Sequence, residues 1–154
     1  MRIQNVALLA FLGTFFLLIL FIALVSYVLA AIGLYTMAKN RNIENAWIAW
    51  IPVVQLYIMG RLIETLQIGS IDIPQPELVL PGLAIVGSGL NRVPLIGSLI
   101  GIVSLVVNLF ALHKLYSIYR PDQATVYLVV SILIPFMGPV FLFLMRNDEP
   151  ASVG

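Results

Sequence analysis

The chain has 154 residues, 61% of them hydrophobic and only 10% charged, and its eight Lys and Arg against seven Asp and Glu leave a net charge of +1. A mean hydropathy of +1.06 argues against a water-soluble domain, in which about a quarter of the residues carry charge, and the near-neutral balance offers no basic field to nucleic acid. The absence of cysteine excludes disulfides, thiol catalysis, thiolate metal sites and palmitoylation.

From Val6 to Met37 no side chain is formally charged. That run exceeds the roughly 20 apolar residues that carry a helix across the hydrocarbon core of a bilayer. It is too long for a signal peptide and no small-residue cleavage site closes it, so it is read as retained. The first helix is expected to end near Met37, where Lys39, Asn40, Arg41 and Asn42 form a polar link. Glu44, Asn45 and Ala46 then open a second segment, in which Trp47, Trp50 and Tyr57 surround Pro52 as in an interfacial aromatic belt. Its apolar stretch, Ile48 to Gly60, is about 13 residues, short for a crossing. Gln67 to Glu77, with Gly69, Pro74 and Pro76, is expected to be an ordered polar loop.

Leu78 to Leu90 is a second short apolar piece, carrying Pro81, Gly82, Gly87 and Gly89, and it breaks at Asn91, Arg92, Val93 and Pro94. Leu95 to Leu112 reads as a crossing that ends in His113 and Lys114. Arg120, Pro121 and Asp122 make a tight connection. Ala124 to Met145 reads as the last crossing, bent by Pro135 and Pro139. The expected fold is therefore a single all-α integral membrane domain, 1–154, with about four transmembrane helices and one or two broken or re-entrant half-helices. Either 48–66 crosses and 78–90 re-enters, or the reverse. The bias of Lys and Arg toward the cytoplasm places Lys39, Arg41, Lys114 and Arg120 inside a cell membrane and both termini outside.

Leu34, Glu44 and Ala46 can be laid over Leu112, Asp122 and Ala124, and both stretches lead into an apolar segment with an internal proline. The superposition suggests a duplicated helical hairpin, an arrangement many transporters use around a central site.

Polar groups inside apolar segments are the candidates for function. Gln55, Asn91 and Asn108 are the intramembrane polar residues, with Asn108 the deepest; the plainer reading is that Asn108 bonds a neighbouring helix. Arg61 and Glu64, three apart on a helix, are expected to form an ion pair. Gly97 and Gly101 form a small-xxx-small pair for helix packing. Trp47, Trp50 and His113 are read as interfacial, and the single histidine lacks the partners a metal would need. No phosphate-binding loop, dinucleotide fingerprint, zinc-protease helix or catalytic triad pattern is present, so no catalytic residue, cofactor or metal is expected.

The segment Ala46, Trp47, Ala49, Trp50, Ile51, Pro52, Gln55, Leu56, Tyr57 resembles small bacterial multi-pass membrane proteins of unknown function, which carry Trp, Ile-Pro, an amide and Tyr at this spacing. The likeness covers about a tenth of the chain and implies a bacterial inner-membrane protein without an assigned activity. Such proteins are sometimes labelled signal peptidases. The serine-lysine chemistry of that label would need an extracytoplasmic Ser and Lys, whereas Lys39 and Lys114 fall at the expected cytoplasmic ends. The expected role is a non-catalytic accessory or interaction protein partnered by the lipid bilayer and by another membrane protein or itself. The alternative is a small transporter or channel built on broken-helix elements at Pro52, Gly82, Gly87, Asn91 and Pro94.

Overall fold

The computed structural model of the chain describes residues 2–90 and 94–151. Helix α1, Arg2–Asn40, contains no proline and no charge between Arg2 and Lys39, so nothing interrupts its hydrogen-bond ladder. It outruns the expected end near Met37 because Arg41 N–H still reaches the Met37 carbonyl at 3.1 Å; Asn42, at φ 53°, then breaks it, and Asn tolerates that left-handed conformation better than most residues. Residues 5–24 of α1 are exposed throughout. Burial begins lower down, where Ala30, Ala31 and Ala38 are almost fully covered. Helix α6 approaches there so closely that a Cβ on Gly33 would lie 2.7 Å from the Leu142 carbonyl carbon.

The chain then turns back. A 3-10 segment, Ala46–Trp50, is entered through Asn45 in the left-handed region. The Tyr27 hydroxyl donates to the Trp50 carbonyl, and at 1.5 Å per residue Tyr27 lies about 20 Å back along α1 from Asn40. After a turn containing Pro52, helix α2, Gln55–Ile63, climbs again. Arg41 Nη1 donates to the Leu62 carbonyl at 2.5 Å, and Arg41 Nη2 pairs with Glu64. The chain from Ile43, whose N–H bonds the Ala38 carbonyl at 2.9 Å, to Glu64 thus leaves and regains the same end of α1.

Where a polar loop is expected there is instead a two-stranded antiparallel hairpin, β1 (Leu66–Ile68) and β2 (Ile71–Ile73). Alternation around Gln67 and Asp72 gives the period-two pattern, and Gly69, at φ +63°, makes the two-residue turn. The fold is mostly helical, with this one short hairpin added. Helix α3, Pro76–Gly89, has proline at its first turn, where no N–H is needed. It starts against α2, whose Gly60 has room for no Cβ: one would sit 2.2 Å from Glu77 Cα.

Helix α4, Pro94–Tyr119, packs on α3, α2 and α5. Its buried stripe, Val107, Ala111, Leu115, Tyr116 and Tyr119, follows the helical period. Of the helices, Asn5–Asn40 and Leu95–Tyr119 are long and apolar enough to cross a membrane.

The expected last crossing, Ala124 to Met145, is instead a hairpin. A 3-10 segment, Pro121–Gln123, leads into α5, Ala124–Leu133, and then α6, Met137–Leu144. Pro135 lacks the N–H to continue α5 and holds Ile134 extended, at φ −131°. The two helices run antiparallel. Ser131 lies beside Gly138, the Tyr127 and Phe141 rings stack at 4.0 Å, and Arg120 meets Asp148. Each step back along α5 matches a step forward along α6.

The two ends of the described chain lie at opposite ends of α1. Asn40 Nδ2 donates to the Arg146 carbonyl at 3.2 Å, and Ala151 N–H to the Ile118 carbonyl at 2.7 Å. The C-terminal segment therefore sits at the Asn40 end of α1, and Asn5 at the other.

The weak sequence echo has a structural counterpart. Each unit is a long helix, a polar link, and a broken hairpin closed at its base by an arginine and an acid: Arg41 with Glu64, and Arg120 with Asp148. The second arms pack differently: α6 lies on α1, whereas α2 lies against α3 and touches both α1 and α4.

Candidate functional site

Polar chemistry concentrates where α1, α4 and α6 end. Arg41 lies between two cavities there. One, of about 410 Å³, is lined by Arg41, Asn42, Ile43, Arg61, Glu64 and Glu77. The other, of about 310 Å³, is lined by Arg41 together with Asn40, Tyr119 and residues 147–150. Arg41 is fixed by its bonds to Leu62 and Glu64. Arg120 Nε bonds Asp148 Oδ2 at 2.6 Å, and its Nη1 bonds the Tyr127 hydroxyl at 2.9 Å. The hydrogen bond to Asp148 holds the Arg120 guanidinium above its ordinary pKa.

The expected Arg61–Glu64 pair does not form. Glu64 is the C-cap of α2, at φ 59°, and this left-handed turn swings its carboxylate off the helix to Arg41. Arg61 is left exposed on the cavity wall.

Among the intramembrane candidates, Asn91 lies outside the described residues. Asn108 Nδ2 donates to the Ser104 carbonyl of its own helix at 2.8 Å, not to a neighbouring helix, and its Oδ1 is buried without a partner. Gln55 Oε1 is buried without a partner at the start of α2. Neither Gln55 nor Asn108 lines the two cavities at the Arg41 end.

Gly97 and Gly101 part company. Gly97 is buried, whereas a Cβ on Gly101 would meet nothing within 4 Å, so Gly101 packs on no helix of the described residues. The close approaches are at Gly33 and Gly60, which sequence reasoning missed; the signal for the first was the small-residue run Ala30, Ala31, Gly33, Ala38. Trp47 and Trp50 are 58% and 43% exposed. His113 is half-buried, its carbonyl accepting from Ser117 Oγ at 2.9 Å. Tyr116, not singled out from sequence, is fully buried; its hydroxyl is 3.0 Å from Ser131 Oγ, and its ring meets Tyr127 and Phe141 edge-on.

No protein-family model, no curated protein and no solved structure matches this chain.

Proposed function

We propose that the chain is an integral membrane protein of non-catalytic, accessory type, held in the bilayer by α1, α3 and α4 and acting through contacts with another membrane protein or a second copy. The observation that carries this reading is the exposed apolar half of the molecule. Residues 5–24 of α1 are exposed on every side, including Leu9, Phe11, Phe16 and Leu17, and so are Leu95, Leu99, Ile102 and Leu105 on α4. A soluble monomer rarely exposes a contiguous apolar patch beyond a few hundred Å².

The two broken hairpins support a membrane setting as well. Backbone that leaves the helix at membrane depth is tolerated where protein covers it, and here α1 and α4 cover the hairpin arms. Lys39, Arg41, Arg61, Lys114, Arg120 and Arg146 cluster toward the Arg41 end, which the positive-inside bias makes cytoplasmic. In this reading both re-entrant hairpins dip in from the cytoplasmic face, and the Asn5 end of α1 is outside. The count is three passes, with α3 the short one, and the crossing assigned from sequence to Ala124–Met145 drops out.

The test is a photo-crosslinker placed at Phe16 on α1 and at Leu105 on α4, within the exposed halves, in membranes that resist carbonate extraction. Adducts to one discrete protein support the accessory reading. Adducts to lipid alone from both positions would overturn the interaction part, and release by carbonate would overturn the membrane part. A transporter reading keeps one supporting observation, the two buried acceptors Gln55 Oε1 and Asn108 Oδ1 without partners.

A further inference from the structure

The larger cavity at the Arg41 end carries two charges that the fold leaves open. Arg41 and Glu64 neutralise each other on its wall. The side chains of Arg61 and Glu77, which line the same cavity, have no hydrogen bond or ion pair to any described residue. They are close neighbours in space, since Gly60, beside Arg61, lies against the backbone of Glu77, yet they do not pair. The close Gly60–Glu77 contact holds α2 against α3 and so keeps both side chains at the same cavity. An open guanidinium and an open carboxylate on one wall are complementary to a zwitterion. The volume, about 410 Å³, is within the roughly 300–1,000 Å³ of small-ligand sites.

We propose that this cavity binds an ethanolamine phosphate zwitterion, Arg61 receiving the phosphate and Glu77 the ammonium. Guanidinium matches phosphate geometry through paired N–H donors, and a primary ammonium supplies three N–H donors to a carboxylate. A choline group has none, and a glycerol headgroup lacks the cation, so both are disfavoured. The cavity opens at the end of helices that the proposed function places at the bilayer surface. The inference rests on that reading for its lipid source; a free phosphoethanolamine has the same chemistry.

The test is native mass spectrometry of the detergent-purified full chain, refilled from mixed micelles of phosphatidylethanolamine, phosphatidylcholine and phosphatidylglycerol. Phosphatidylethanolamine should be retained preferentially, and Arg61→Gln and Glu77→Gln should each weaken retention about tenfold, the loss of one charge-assisted bond. Both positions are at the surface of the cavity, and an unchanged circular dichroism melt shows that the variants are folded. Displacement by free phosphoethanolamine assigns the site to the headgroup alone, and resistance to it assigns the site to the intact lipid; either supports the zwitterion. Equal retention of the three lipids, or retention untouched in both folded variants, overturns it. A protein that stays in carbonate-washed membranes while failing this test would lose the zwitterion site and keep its membrane reading.

Discussion

Arg120 Nε and Asp148 Oδ2, 28 positions apart in the chain, meet at 2.6 Å. Had residues 124–145 crossed a bilayer, about 30 Å of hydrocarbon would separate them. The pair thus settles the course of the last quarter of the chain, folding it into α5 and α6 against the end of α4. The pair itself is half-exposed, at 34% and 30%, and contributes only about 0–1 kcal/mol. It reports the hairpin; the stacked Tyr127 and Phe141 rings and buried Tyr116 hold it.

The first prediction is topological. The chain has no cysteine, so single cysteines can be introduced at Asn5, Asn42, Asp122 and Asp148 and labelled with a membrane-impermeant maleimide. Asn42, Asp122 and Asp148 should label from one side and Asn5 from the other. Labelling of Asp148 together with Asn5 would restore the crossing at Ala124–Met145 and refute the hairpin.

Close approach at glycine gives the second. Gly60→Ala puts a methyl group 2.2 Å from Glu77 Cα, and Gly33→Ala puts one 2.7 Å from the Leu142 carbonyl. Backbone must move in both, at a cost of about 1–3 kcal/mol. Gly101→Ala meets open space and should raise stability by about 1 kcal/mol through helix propensity alone. Thermal melts in detergent separate the two classes; a Gly60→Ala melt equal to that of Gly101→Ala would mean that α2 and α3 do not touch there.

The third concerns Val53, at the tip of the first hairpin. Its φ of 67° is left-handed, a strained conformation for a β-branched residue, costing about 1–2 kcal/mol, and the side chain is 41% exposed. Val53→Gly removes the strain and should stabilise by up to about 1 kcal/mol after its entropy cost. Val53→Ala keeps the strain and should not stabilise. A glycine variant less stable than the alanine one would show that the tip is not strained.

The fourth is Tyr116. Tyr116→Phe keeps the ring cluster and loses the bond to Ser131, which retains its own bond to the Tyr127 carbonyl at 2.7 Å; about 0.5–1.5 kcal/mol should be lost. Tyr116→Ala empties a fully buried volume and should cost about 3–5 kcal/mol. Denaturation midpoints check both, and a loss below about 1 kcal/mol for the alanine variant would mean that α5 and α6 dock without this ring.

What the sequence determined by itself is local. The uncharged run after Asn5 and the apolar run after Leu95 specify two long helices, because backbone groups surrounded by apolar side chains are satisfied within a helix. Pro52 and Pro135 mark breaks, since proline cannot donate to the ladder. Trp47, Trp50 and the shortness of 48–60 marked an unusual segment but left open whether it or 78–90 crosses.

Direction was decided only by the tertiary structure. A proline in an apolar segment is compatible with a kinked crossing or with a reversal, and the difference is fixed by contacts between residues far apart: Tyr27 with Trp50, Arg41 with Glu64, Arg120 with Asp148. Helical spacing likewise suggested Arg61 with Glu64, but the left-handed turn at Glu64 sends that carboxylate to Arg41. The open charges of Arg61 and Glu77 therefore became visible only once α2 and α3 were brought together at Gly60, because which charge remains unpaired depends on every neighbour that could have paired with it.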